Sequence, residues 1–252
     1  MSSIPSKSAV GAIAMVGSGE YLPIMQELEG ALLQQGLARG KKNIYLQIPT
    51  AAGQESANRL AFWEEIGRAQ ADRLGAEPVF LPVFNRDDAL NLEYAAQIAG
   101  AGLIYLSGGD PGHLSATLIG TPVWEAIVRN WQEGGSLAGC SAGAMAMASD
   151  VPNFRKMKAE GAPGLSLIPH IRVIPHYNKF FGWIPDAAAK ILLKAPDGVV
   201  LLGIDEGTAL VTGLDEGATY ESRIWAVHGV AGVHILQGAP AHRYEAGARI
   251  TL

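Results

Sequence analysis

Short apolar runs that alternate with helix-like stretches restrict the fold of this chain more than any other feature. The apolar runs cover residues 12–16, 43–48, 78–83, 103–106 and 136–139. Runs this short and this continuous are typical of strands buried on both faces of a sheet. The stretches between them have helical spacing, at residues 22–33, 56–74, 88–98 and 121–131. Such alternation predicts a mostly parallel, flavodoxin-like sheet flanked by helices.

The last third of the chain has a different pattern. A helix-like stretch at about residues 184–194 precedes short apolar runs at 198–204, 208–212, 224–227 and 233–236. Turn residues separate these runs at short spacing, which predicts an antiparallel hairpin extension. We therefore expect residues 1–252 to form a single α/β domain, with residues 1–10 as a flexible tail.

Composition excludes several classes of function. The net charge is −5 and the Lys and Arg residues are scattered, so no nucleic-acid footprint is predicted. No apolar run approaches the ~18 residues that a membrane span needs. Cys140 is the one cysteine, which rules out an intrachain disulfide and fits a reducing compartment. The apolar run after Lys7 is too short for a convincing signal peptide, so a cytoplasmic location is expected.

The segment Gly139-Cys140-Ser141-Ala142-Gly143 joins a predicted strand to a helix-forming run at residues 142–148. A serine on such a turn is typical of a hydrolase nucleophile, and the small neighbours allow the sharp bend. The alternative is a tight contact between a helix and the sheet without chemistry. Cys140 is a rival nucleophile, but its place before the apex predicts a small buried thiol.

Two further strand ends carry candidate catalytic groups. Gly108-Gly109-Asp110 follows a buried run, and backbone N–H groups there can approach a reacting carbonyl. His176 follows the strand-like residues 171–175, which makes it the best-placed base. His113 could instead line the pocket.

A carboxylate should orient the base. Glu206 follows another predicted strand, and Glu160, Asp150 and Asp205 are alternatives. The sequence leaves this choice open because the contact is spatial.

Together these motifs resemble peptidase family S51, which includes aspartyl dipeptidases and cyanophycinases. The matching segments are Gly139 to Ala144, Gly108 to Asp110, Ala162 to Leu165, Pro175 to Tyr177 and Gly203 to Leu210. The resemblance implies a class I glutamine amidotransferase-like fold, Ser141 as nucleophile and His176 as base. It places Glu206 in a shared segment and keeps Glu160 as an alternative acid. It also implies a homodimer.

The chain departs from the family pattern around the substrate. Cyanophycinase-like proteins carry Asp-Gln before the histidine and arginines after it, whereas this chain has Ile174-Pro175, Phe180 and Gly182. Pro111 stands where Gln is usual. The groups suited to a β-aspartyl-arginine unit are therefore missing. Tyr177, Phe180, Phe181 and Trp183 either line an apolar pocket or pack the following helix.

The sequence thus predicts a serine hydrolase of a peptide or isopeptide bond, with backbone N–H groups of Gly109 and Ala142 holding the oxyanion. The mechanism requires no cofactor and no metal. One alternative is an α/β-hydrolase esterase in which Asp197 or Asp215 pairs with His228 or His234. Another is a ligand-binding protein with a decayed triad.

Overall fold

A computed structural model describes residues 10–153, 158–183 and 194–252. The tail predicted for residues 1–10 lies outside this part of the chain except for Val10. The helix predicted at residues 184–194 also lies outside it except for Lys194.

Strands and helices alternate through the first half of the chain, and strands dominate the second half. The strands are β1 Ile13–Val16, β2 Lys42–Ile48, β3 Glu77–Phe80, β4 Ala101–Leu106, β5 Ser136–Cys140, β6 Asp150–Asn153, β7 Lys158–Pro163, β8 Ile171–Ile174, β9 Val200–Ile204, β10 Thr208–Thr212, β11 Ile224–Gly229, β12 Gly232–Gln237, β13 His242–Glu245 and β14 Arg249–Thr251. The helices are α1 Gln26–Ala38, α2 Ala57–Arg73, α3 Arg86–Ala89, α4 Leu92–Ile98, α5 Pro111–Leu118, α6 Pro122–Gln132, α7 Ala142–Ala146 and α8 Tyr177–Trp183.

The central sheet has eight strands in the order β14-β11-β10-β1-β5-β4-β2-β3. The strands from β1 to β3 in this order run parallel, and β10, β11 and β14 continue the sheet antiparallel. The parallel part has the order β3-β2-β4-β5-β1: counted from β2, its first four strands match the 2-1-3-4 of a flavodoxin-like sheet, and β1, which precedes them in the chain, occupies the fifth place. The predicted mostly parallel sheet with antiparallel C-terminal strands is confirmed.

A second sheet departs from the prediction of a simple extension. Its order is β13-β12-β9-β8, and β8 and β9 are parallel within it. The runs predicted at residues 198–204 and 233–236 therefore leave the central sheet and pair with each other as β9 and β12. The hairpin of β6 and β7 was not predicted, because its sequence is polar and lacks an apolar run.

Both faces of the central sheet are buried, as the continuous apolar runs predict. Along β4, Leu103 and Tyr105 pack on the side of α1, while Ile104 and Leu106 pack on the side of α6. Residues with a period of two thus divide between two hydrophobic clusters. Because β1, β5 and β4 are parallel neighbours, their carboxyl ends meet at one edge of the sheet.

Helix caps explain where the helices differ from the predicted ranges. The stretch predicted at 88–98 forms two helices because Asn85 makes a capping box with Asp88 and starts α3. Asn91 then accepts a hydrogen bond from the N–H of Glu93 and starts α4. Thr121 caps α6 by accepting from the N–H of Trp124, and Pro122 occupies the first helical position.

Two glycines of α1 differ in how closely they approach the sheet. A Cβ atom added to Gly36 would lie 2.3 Å from the carbonyl oxygen of Gly102 in β4. The same atom on Gly30 would meet only the end of the Leu74 side chain, at 3.4 Å. Gly36 therefore sets the distance between α1 and the sheet, whereas Gly30 does not.

We expect Gly36→Ala to lower the free energy of unfolding by about 1–3 kcal/mol, because backbone must move to admit the methyl group. Gly30→Ala is the matched control on the same helix and should raise it by about 0.5–1 kcal/mol through helix propensity. Urea unfolding measures both changes. Equal effects of the two substitutions would contradict this account of the packing.

Candidate active site

Ser141 lies on a sharp turn between β5 and α7. Its backbone has φ 49° and ψ −106°, a conformation that costs a non-glycine residue about 1–3 kcal/mol. The N–H of Ser141 donates to the carbonyl oxygen of Val16 in β1, at 2.9 Å. A Cβ atom on Gly139 would lie 2.6 Å from the backbone of Gly143, so the predicted requirement for small neighbours is met.

His176 connects the serine to a carboxylate. It follows β8, and its Nε2 atom lies 3.2 Å from the Ser141 hydroxyl oxygen. Its Nδ1 atom lies 3.0 Å from Oε1 of Glu206. The structure thus brings together the three residues that the sequence proposed, although they are separated by 35 and 30 positions. The imidazole and the carboxylate are about one quarter exposed, at 28% and 24%.

Lys179 holds the second oxygen of this carboxylate. Its ammonium group lies 2.5 Å from Oε2 of Glu206, and the Glu206 N–H donates to the side chain of Asn178. Partial burial would raise the pKa of Glu206, but hydrogen bonds and positive charge from Lys179 and His176 outweigh it and keep the pKa below its ordinary value. Glu206 is therefore ionised and oriented toward the imidazole.

The other candidate bases and acids have different partners. His113 contacts the carbonyl oxygen of Phe84 at 2.8 Å, and His234 pairs with Asp205 at 3.2 Å. His228 and Asp215 do pair, at 2.8 Å, as the esterase alternative required, but it is His176 that faces Ser141.

Of the carboxylates whose side chains are described, Glu206 is the one that contacts His176. Asp150 forms an ion pair with Arg172. The backbone of Glu160 lies in β7, and its side chain is outside the described part of the structure.

The two glycines of the loop after β4 differ in exposure and in hydrogen bonding. Gly109 is exposed and has φ 138°, and a Cβ atom there would lie 2.4 Å from the carbonyl oxygen of Ala51. The N–H of Gly108 instead donates to Oε1 of Glu20, at 3.0 Å. Gly108 was predicted among the oxyanion groups, and this bond makes its N–H unavailable. Asp110 caps α5 by accepting from the N–H of His113.

Glu20 is a site residue that sequence reasoning missed. Its carboxylate is buried, and Oε2 accepts from the Cys140 thiol at 2.8 Å. Glu20 therefore links the turn at Ser141 to the glycine loop. Its place after β1, at the same sheet edge as the other candidates, was the available signal. Burial and the Glu20 carboxylate raise the pKa of the Cys140 thiol well above its ordinary value, so the predicted packing role of Cys140 fits.

A buried polar network continues behind the glycine loop. The hydroxyl groups of Tyr21 and Ser107 hydrogen-bond at 2.6 Å. Glu29 accepts from the N–H of Tyr21 and from the side chains of Tyr45 and Gln70. Burial raises the pKa of Glu29 to about 7, because these hydrogen bonds offset only part of the desolvation.

The aromatic residues after His176 pack inward. Phe180 is buried against Ile174 and Leu201, and the Tyr177 ring stacks on it at 6.2 Å. This favours the packing alternative for both residues. The side chains of Phe181 and Trp183 lie outside the described part of the structure.

Two cavities of about 600 Å³ flank the candidate site. One begins at Gly109 and Asp110 and extends to the β6–β7 hairpin. The other contains His176 and Glu206 and is walled by the aromatic residues Phe62 and Trp63 of α2.

Within residues 10–153, 158–183 and 194–252, no group of three or more His, Cys, Asp or Glu side chains could hold a metal ion. None of the helices described there has both the length and the apolarity to cross a membrane.

A serine, a histidine and a carboxylate hydrogen-bonded in series define the serine hydrolase class of site. The model of peptidase family S51 matches residues 13–219, and the chain belongs to this family. A peptidase of known crystal structure from an acI-B1 actinobacterium is 54% identical, with 98% of each chain covered and a TM-score of 0.92.

Other relatives are more distant. Cyanophycinases of Trichormus variabilis and of a Nostoc species are each 30% identical over 190 residues, which cover 68% of this chain and 58% of those proteins. The chain therefore matches little more than half the length of these relatives. A structure described as a putative peptidase E protein from Listeria monocytogenes is 18% identical, covers 88% of this chain and all of that one, and has a TM-score of 0.61, which shows the shared fold.

We expect Lys179→Met to raise the pKa of Glu206 toward the ordinary value of about 4.3, because a charged hydrogen bond to the carboxylate is removed. Because folding lowers the pKa of Glu206, this carboxylate stabilises the fold at pH values above its ordinary pKa. The stabilisation is lost as the pH falls through the pKa of the folded state. A carbon-detected NMR titration of the Glu206 carboxyl group measures the change. Lys41→Met, which removes a remote pair with Glu133, is the control. An unchanged Glu206 titration in Lys179→Met would be inconsistent with this role.

The raised pKa of Glu29 predicts a pH dependence of stability. The folded state keeps the Glu29 proton up to about pH 7, so this group's favourable contribution is complete below about pH 4.3 and is lost as the pH rises to about 7. Glu29→Gln does not titrate, and should therefore gain about 3 kcal/mol relative to the native protein between pH 4 and pH 8. Urea unfolding at both pH values measures this.

Glu27→Gln, an exposed change on the same helix, is the control and should shift stability little at either pH. Any constant cost of the amide at position 29 cancels, because only the change with pH is compared. Parallel pH curves for Glu29→Gln and the native protein would show that Glu29 is ionised in the fold.

Proposed function

We propose that this protein is a serine-type peptidase that hydrolyses an amide bond through an acyl-enzyme on Ser141. The observation that carries the proposal is the continuous hydrogen-bonded series from Ser141 through His176 to Glu206. The positive φ of Ser141 between a strand and a helix supports its assignment as a nucleophile elbow. Membership of peptidase family S51 supports the amide as substrate class.

The first half of the reaction forms the acyl-enzyme. Ser141 Oγ attacks the carbonyl carbon while His176 Nε2 takes the hydroxyl proton. The N–H groups of Gly109 and Ala142 hold the oxyanion. Ala142 is the first residue of α7, and the first N–H groups of a helix lack partners within it. His176 then gives its proton to the leaving nitrogen, and the carbon–nitrogen bond breaks.

The second half releases the acyl group. Water replaces the amine, His176 removes one of its protons, and the hydroxide attacks the ester carbon. The proton returns to Ser141 Oγ as the carbon–oxygen bond breaks. Throughout, Glu206 accepts a hydrogen bond from Nδ1–H, which fixes the tautomer and stabilises the imidazolium. Lys179 keeps this carboxylate ionised.

The substrate is a small peptide or isopeptide. The resemblance to cyanophycinases implies a β-aspartyl-arginine unit as substrate, but Ile174, Pro175, Phe180 and Pro111 replace the polar residues expected for that unit. An assembled Ser–His–Glu series argues against a decayed site with a purely ligand-binding role.

The remaining parts of the proposal concern the protein as a whole. We assign it to the cytoplasm, where a single reduced cysteine such as the buried Cys140 fits. We also assign residues 1–252 to one domain and the protein to a homodimer, as the family resemblance implies. Neither a cofactor nor a metal takes part in the steps above.

Intact-mass spectrometry after incubation with a fluorophosphonate tests the mechanism. We expect one adduct on the native protein and none on Ser141→Ala. His176→Ala and Glu206→Gln should react about 10²–10⁴ times more slowly, because the base is lost or its tautomer is no longer fixed. His228→Ala should react at the native rate and thus excludes the esterase alternative.

Adduct formation on Ser141→Ala, or a native rate in His176→Ala, would refute the mechanism. A slow rate in His228→Ala would move the assignment to the second histidine.

A further inference from the structure

The cavity beside His176 has an apolar wall that the catalytic steps do not use. Leu22, Ile24 and Phe62 line it together with Trp63 and Ile66. The first three are among the most exposed large apolar side chains of the protein, at 46%, 49% and 42%. Water-exposed apolar groups that gather in one place are typical of a binding surface.

Exposed large apolar side chains are not spread evenly over the surface of the described part of the chain. Six large apolar side chains are well exposed in the described part of the chain, and the other three are Leu90, Leu92 and Val230. Val230 also lies near this cavity. The side chains of Val230 and Ile24 are both about 3 Å from the position that a Cβ atom on Gly207 would occupy. Three of the six therefore line this cavity, and a fourth, Val230, lies beside Gly207, the residue next to Glu206.

The aromatic part of the wall is held in place. The Trp63 ring packs edge-on against Tyr21 at 6.3 Å and against Phe62 at 6.0 Å, and its N–H donates to Glu55. Arg59 lies over both rings of the wall and pairs with Glu55. These contacts hold the aromatic part of the wall in position before a ligand binds.

The charges around the cavity disfavour an ionic side chain. Among its described lining residues the carboxylates are Glu20 and Glu206, and both already accept two hydrogen bonds or ion pairs. Of the nearby cations, Lys179 and Arg59 each pair with a carboxylate, and Arg73 donates to Gln70 and to the carbonyl oxygen of Tyr21. An acidic substrate side chain would find no lysine or arginine among these lining residues. A basic substrate side chain would have to displace an existing donor from Glu20 or Glu206.

The position of the cavity assigns it to one side of the scissile bond. The cavity that begins at Gly109 does not include His176 and shares no described lining residue with the cavity beside His176, so we assign the acyl side of the substrate to it. His176 must reach the leaving nitrogen, so the cavity that contains His176 receives the amine side.

We propose that this cavity is the subsite for an apolar or aromatic side chain on the residue whose nitrogen leaves. The inference rests on the proposed function and adds its specificity: peptides with Phe or Leu after the scissile bond are preferred over those with Asp, Lys or Gly.

Binding of amino-acid amides to the Ser141→Ala protein tests the subsite without catalysis. The probes are L-phenylalaninamide, L-leucinamide, L-aspartic acid 1-amide, L-lysinamide and glycinamide, with affinity measured by protein-observed NMR. We expect the first two to bind about tenfold more tightly than the others, from burial of apolar surface. Phe62→Ala in the same background should remove this preference.

Ile24→Ala is a second variant, outside α2, and should weaken binding of phenylalaninamide by severalfold even if Phe62→Ala unfolds. Leu92→Ala removes an equally apolar but remote exposed side chain, and should change no affinity. Thermal unfolding identifies any variant that is not folded.

Equal affinity for all five amides, or tighter binding of the charged ones, would overturn the subsite. Selectivity that survives both Phe62→Ala and Ile24→Ala would overturn its location. Fluorophosphonate labelling of native Ser141 separates the two levels: labelling without apolar selectivity refutes only the subsite, whereas a native protein that never labels refutes the proposed function.

Discussion

Backbone and carboxylate hydrogen bonds from residues 17–21 hold the loops of the site together. The carbonyl oxygen of Gly17 accepts from the N–H of His176, and that of Ser18 accepts from the N–H of Gly207. Glu20 accepts from Gly108 and from the Cys140 thiol. This loop after β1 therefore contacts the segments that carry the proposed nucleophile, base, acid and oxyanion groups. Their relative positions depend on one short stretch of chain, most of it bonded through the backbone.

The strain at Ser141 is sustained by packing around it. A positive φ in a serine is unfavourable, so the turn persists only where neighbouring contacts overdetermine it. Gly143 supplies such a contact, because a Cβ atom there would lie 2.4 Å from the carbonyl oxygen of Leu106. The hydrogen bond from Ser141 to Val16 supplies another. The result is a hydroxyl group fixed at the sheet edge, where a flexible serine would lose orientation on each turnover.

Local patterns predicted those parts of the fold that depend on neighbouring residues. Apolar runs located the buried strands, and position at strand ends selected Ser141, His176 and Glu206 from many alternatives. Position after β1 would also have marked Glu20, but its role depends on partners 88 and 120 positions further along the chain, which no local pattern identifies. The division of β9 and β12 into a second sheet was missed for the same reason, since pairing partners leave no mark on a strand's own sequence. The sequence signals for separate helices α3 and α4 are the capping residues Asn85 and Asn91. The prediction of one helix followed the continuous helical spacing of residues 88–98 instead.

The central place of β1 has a consequence for how the protein is made. β1 lies between β5 and β10, so its backbone bonds are completed by residues 137–140 on one side and 209–212 on the other. A growing chain emerges with β1 first and must wait about 200 residues for the second partner. One edge of this apolar strand stays open until residues 137–140 emerge and the other until residues 209–212 emerge, which exposes the nascent chain to intermolecular pairing. Because the loop after β1 also organises the site, catalytic competence arises late in synthesis, once the chain beyond β10 has left the ribosome.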